Sequence, residues 1–100
     1  MAVLEISVIP IGTASASLSD HVARAVKKLK KQKGVRYTLY PMGTVLEGDL
    51  FKLLRIAGAM HRSVFSSKIR RVVTVIKIDD RNDKKLSMKG KLRSVKRKLL

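Results

Sequence analysis

VRYTLYPMGTVLEGDL, residues 35–50, is the stretch on which the fold of this chain turns. Val35, Tyr37 and Leu39 alternate with Arg36, Thr38 and Tyr40, the period of two that marks a strand, with the first three facing inward. Pro41-Met42-Gly43 interrupts the run. Thr44 to Glu47 reads as a further short strand. Asp49, preceded by Gly48, stands where a helix N-cap belongs. Leu50, Leu53, Leu54, Ala57, His61 and Val64 then recur at helical spacing. A strand, a break of three residues, another strand and a helix form the middle of the chain.

Upstream, residues 2–11 (AVLEISVIPI) alternate as well. Leu4, Ile6, Val8 and Pro10 share one face, and Pro10 ends the ladder because proline brings no donor to it. GTASASLSD reads as a loop. Ser17 and Asp20 match an S-x-x-D capping box, which predicts a helix start there. Leu18, Val22, Ala25, Val26 and Leu29 give that helix its apolar stripe, and Gly34 is expected just past its end. Downstream, RRVVTVIKID at 70–79 is the most strand-like run in the chain. DRNDKK is a polar turn, and residues about 87–99 form a last helix with Leu92, Val95 and Leu99 as its stripe.

The order is βαββαβ with an added C-terminal helix. It predicts an α+β, ferredoxin-like fold: a four-stranded antiparallel sheet with both core helices on one face. Residues 1–100 are expected to form one domain. In the last strand Val72, Thr74, Ile76 and Ile78 would face the helices. Arg71, Val73, Val75, Lys77 and Asp79 would lie on the open side, joined by Ile9, Thr38 and Tyr40. An open sheet face is ordinarily polar. Valines, an isoleucine and a tyrosine there predict a homo-oligomer, built on this face or on a sheet edge beside it.

Charge is the loudest feature of the composition: 23 Lys and Arg against 7 acids, a net +16. Residues 21–36 hold seven bases and no acid; residues 81–98 hold nine bases and one acid, Asp83. Such charge raises the question of nucleic acid. RNA-recognition sheets, however, stack bases on aromatics of the two central strands. Here those strands, VLEISVIPI and TVLEG, carry none, so no nucleic-acid partner is expected and solvated lysine faces are the simpler expectation. The absence of cysteine removes disulfide and thiol chemistry and fits a cytoplasmic location. MAVLEIS lacks a basic n-region, and no apolar run spans a bilayer, so no membrane association is expected.

Neither His21 nor His61 has a neighbour at metal-ligand spacing, so no metal site is expected. No nucleophile–base pair or phosphate loop appears, and no enzymatic activity is predicted. Glu47 is the acid that asks for a reason, because an unpaired carboxylate in a strand is costly to bury. Asp79 and Asp80 are expected to pair with Arg81 or Lys84 and to hold the last turn.

Taken together, SVIPIGTASASLSDHVA, YPMGTVLEGDL, RVVTVIKIDDRNDK and MKGKLRSV resemble the family of small thiamine-binding proteins. The order and spacing of PIGT, MGTxxEGD and KIDDRxDK carry the resemblance across almost the whole chain. It implies a ferredoxin-like fold and dimers that associate into tetramers. It also implies binding of thiamine or its hydroxymethylpyrimidine half without catalysis and without a cofactor. On that reading Glu47 or Asp49 would accept from the aminopyrimidine. Ser7, Thr38 and Thr44 would add hydroxyl contacts, Met42 and Tyr40 an apolar wall, and Gly43 and Gly48 room for close approach. Ser15 and Ser17 are weaker candidates. Glu47→Gln is then expected to weaken binding by about 1–3 kcal/mol. The basic second and last helices depart from the family pattern, and a +16 field opposes a cationic ligand at long range.

Overall fold

A computed structural model describes residues 1–100. The elements are β1 (Ala2–Ile11), α1 (Ser19–Val26) continued by a 3-10 turn (Lys27–Leu29), β2 (Arg36–Tyr40), β3 (Gly43–Gly48), α2 (Leu50–Ser63), β4 (Arg71–Asp79) and α3 (Met88–Leu99). All strand pairs are antiparallel, in the order β2-β3-β1-β4. This is the ferredoxin-like arrangement that the βαββαβ order predicts. No helix is long and apolar enough to cross a membrane.

Register assigns the faces. Leu4 lies between Leu46 and Ile78, and Ile6 between Thr44 and Ile76, so these residues share one side of the sheet. α1 and α2 cover the middle of that side. Tyr37 and Leu39 of β2 and Ile76 and Ile78 of β4, expected to face inward, stay exposed towards its edges because the two helices are not wide enough to reach them. Leu4, Ile6 and Leu46 pack there with Ala25, Leu53, Ile56, Ala57, Met60 and Val64 in one buried cluster. The helix spacing of α2 supplies the other half of this core, and Asp49 caps it by accepting from Lys52 N–H at 3.1 Å. His61, at the edge of the α2 stripe, puts Nδ1 2.6 Å from Thr74 Oγ1 and meets the Phe65 ring edge-on.

Three local expectations change. The Ser17–Asp20 box does not form. α1 starts one residue before Asp20, its N-cap is Leu18, and no side chain caps it. Ser17 instead belongs to the loop, where its N–H donates to Ser15 Oγ. Gly34 has the positive φ expected of a C′ glycine, 75°, but the helical segment ends at Leu29. Gly34 serves the turn into β2, where its carbonyl lies so close to Gly48 that a Cβ there would sit 3.2 Å from it. Finally, Asp79 pairs with Lys91 and Arg81 with Asp83, while Asp80 accepts from the Arg81 backbone N–H. α3 brings Lys91 to Asp79, a contact that sequence proximity did not reveal.

The other sheet face is mostly bare. Ile9, Tyr40, Val73 and Val75 are exposed on it. Only at the end where β3 finishes is it covered: Val3, Glu47 and Leu86 are buried there. α3 itself buries no residue, and Leu92, Val95 and Leu99 of its stripe stay exposed. The radius of gyration is 15.0 Å, against about 13 Å for a compact chain of this length. The helix projects from the body.

Candidate functional site

β1 outruns its neighbour. Its pairing with β3 ends at Ile6↔Thr44, whereas its pairing with β4 continues to Ile11. Beyond Ile6 the β3 side of β1 is therefore open, and a notch forms at that end of the sheet. The β2–β3 turn (Tyr40 to Gly43) walls one side. Leu18 and Val22, from the start of α1, wall another, and Thr44 and Met60 lie on the helix side. The notch has a volume of about 320 Å³, near the lower end of small-molecule sites. Its lining is mainly apolar. Residues from both sheet faces reach it, Ile6 and Val8 from one and Ser7 and Ile9 from the other.

Local chemistry holds this shape. Ser7 Oγ donates to the Met42 carbonyl at 2.9 Å, tying the turn to β1. Gly43 is needed for the close approach: a Cβ there would stand 3.0 Å from Ser7 Oγ and 3.2 Å from the Ile6 carbonyl. Thr44 is 3% exposed and lines the notch. Its hydroxyl and that of Ser7 are the short polar side chains on an otherwise greasy wall. Met42, 88% exposed, stands at the rim.

The remaining candidates lie elsewhere. Thr44 and Glu47 are three residues apart on β3, about 10 Å along a strand and on opposite faces. Glu47 Oε2 accepts from Met88 N–H at 2.8 Å, so its carboxylate closes the N-terminus of α3 alongside Ser87, whose Oγ accepts from Gly90 N–H. This is the reason a glutamate sits in that strand. Asp49 is engaged as the α2 cap. Thr38 faces the bare side of edge strand β2, opposite Val45. Ser15 and Ser17 bond within their own loop. The structure thus brings together Ser7, Met42, Gly43 and Thr44 with Tyr40, and separates them from both carboxylates. Leu18 and Val22 also belong to the notch. In the sequence they read only as helix stripe, because nothing local reveals that α1 enters beside the start of β3.

The model of the thiamine-binding protein family matches residues 4–96. The chain belongs to that family. A UPF0045 protein of Methanothermobacter thermautotrophicus is 46% identical over 100 residues, covering 99% of this chain and all of that one. The UPF0045 protein YqgV of Bacillus subtilis is 39% identical over 102 residues, covering 99% and 98%. Among solved structures, MJ1052 of Methanocaldococcus jannaschii superposes with a TM-score of 0.86 at 38% identity, over 95% of each chain. A DUF77 domain from Bacillus cereus gives a TM-score of 0.78 at 27% identity, over 91% of this chain and 86% of that one. The family assignment and the fold agree, and both extend over nearly the whole chain.

Proposed function

We propose that this chain is a cytoplasmic, non-catalytic binding protein of one domain that holds thiamine through its pyrimidine half, or free hydroxymethylpyrimidine, in the notch at the start of β3. The family supports a small-molecule ligand. The observation that carries the site is the charge-free, largely apolar notch with two hydroxyls at its wall. A flat heterocycle with an amino donor and ring acceptors suits such a wall, with Thr44 and Ser7 as hydrogen-bond partners and Tyr40 and Met42 against the ring. No carboxylate lines the notch, so the thiazolium charge finds no partner there. The neutral pyrimidine is accordingly the recognised half.

The notch is half open, and its rim exposes Leu39, Tyr40 and Met42. A second copy, closing over the bare face or over a sheet edge, would complete it. Dimers paired into tetramers are the assembly this reading expects. Polyanion binding through the basic helices is the second reading, favoured by the unpaired bases of α3.

Calorimetry with hydroxymethylpyrimidine and thiamine tests the site. Thr44→Val keeps the shape and removes one hydrogen bond, worth about 1 kcal/mol, or a fivefold loss of affinity. Unchanged affinity for both compounds would remove the notch from consideration.

A further inference from the structure

The second hollow of interest lies off the other end of β3, about 15 Å along the strand from the notch. The turn from β4 to α3 and one side of α3 border a half-open space of about 270 Å³. Six cations line it: Arg81, Lys84, Lys85, Lys91, Arg93 and Arg97. Asp83 neutralises Arg81 in a two-pronged pair (2.8 and 2.5 Å), and Asp79 neutralises Lys91. Lys84, Lys85, Arg93 and Arg97 have no acidic partner. Arg93 and Arg97 stand four residues apart on α3, a spacing at which like charges repel. Ser94 adds a hydroxyl to the same wall.

A solvated basic face is the ordinary explanation of clustered lysines, and it suffices for residues 24–33, whose bases line none of the larger hollows. It does not explain why four unpaired cations converge on one concave space. We propose that this hollow binds a compact oligophosphate, a diphosphate or triphosphate, free or as the tail of a phosphorylated small molecule. Its several charges would offset the repulsion among the four bases. Guanidinium groups bind phosphate oxygens through paired donors. Concavity favours a compact anion over an extended one, since a polymer or a lipid surface needs a stripe and not a pit. The site is independent of the heterocycle reading, because it is probed with inorganic anions that have no ring.

Calorimetry of the full chain with tripolyphosphate, diphosphate and orthophosphate, at low and at physiological salt, tests it. We expect one tripolyphosphate per chain, bound more tightly than orthophosphate. Arg93→Ala combined with Arg97→Ala should lower its affinity at least tenfold, and Arg93→Lys, which keeps the charge and loses the paired donors, should lower it by a smaller factor. Lys30→Ala combined with Lys31→Ala removes the same charge from the segment after α1, on the helix-covered side of the sheet and outside the hollow, and should lower affinity less than threefold. All four replaced residues are exposed, so circular dichroism and melting should match the parent. Equal losses in the two double variants, or several anions per chain, would mean a diffuse field and overturn the proposal. So would binding of short RNA or phosphatidylglycerol vesicles in the absence of tripolyphosphate binding.

Discussion

The two faces of the sheet are built from the same alphabet and end differently. On one, Leu4, Ile6 and Leu46 vanish beneath α1 and α2. On the other, Ile9, Val73 and Val75 remain in contact with water. Alternation puts apolar side chains on both sides, yet the chain supplies cover for only the middle of one of them, where Ile76, Ile78 and Leu39 stay exposed towards the edges, plus a patch on the other at the end where α3 is rooted. α3, rooted beside the second face, does not screen it and leaves the body instead, with Leu92, Val95 and Leu99 exposed. Hydrophobic pattern therefore states what must be covered, not which molecule covers it.

The contrast can be broken most directly in the core. Leu46→Ala should cost about 2–5 kcal/mol in urea unfolding, through lost burial and a residual cavity. Val75→Ala on the bare face should stay within about 0.5 kcal/mol at high dilution. Equal costs would show that the bare face is already covered at that dilution. Val75→Lys probes the cover itself. If a second copy closes on this face, light scattering should report a smaller assembly for the variant than for the parent, with the fold retained by circular dichroism. An unchanged mass would move the interface to a sheet edge.

A smaller effect distinguishes the two ends of β3. Glu47→Gln replaces a charged acceptor by a neutral one at the α3 N-terminus and should cost about 1 kcal/mol. Amide exchange should quicken at Met88, while affinity for hydroxymethylpyrimidine should not change. Loss of that affinity would return Glu47 to the ligand site. The smallest effect concerns the turn before α3. The Arg81 side chain, first by its hydrogen bonds and then by its charge, holds the Asp83 carboxyl below its ordinary 3.8 and is itself raised in return. A depressed carboxyl stabilises the fold above its unfolded value, and the contribution fades as pH falls through the lower folded value. Melting of Asp83→Asn should thus lie slightly below the parent at neutral pH and converge with it below pH 3.8. The shift is small because both groups are exposed and screened by water. A gap that persisted in strong acid would assign the effect to shape and not to charge.

Much of the fold was legible because it follows from short-range pattern. The period of two in β1 and β4, the break at Pro41 to Gly43 and the helical stripe of α2 are each patterns of one short continuous segment, and each predicted its element. The α1 start departs from its local signal: a capping box is local, and here Leu18 lines the notch and stands at the N-cap while Ser17 serves the loop. The candidate site was only partly legible. Ser7, Met42, Gly43 and Thr44, four of the residues that the family resemblance implies, line one notch. Glu47 and Asp49 drew attention as acids in unusual places, but their partners, the N–H groups of Met88 and Lys52, involve helix ends.

By itself the sequence determined the elements, their order, which residues share a face, and the excess of positive charge, because alternation, helical spacing and side-chain ionisation are properties of neighbours along the chain. Tertiary structure alone decided that β1 outruns β3 to leave a notch, that Thr44 and Glu47 look to opposite sides, and that four unpaired cations converge beside α3. Those outcomes depend on strand register and on where a distant helix docks, and both are settled by packing between segments that are far apart in the chain.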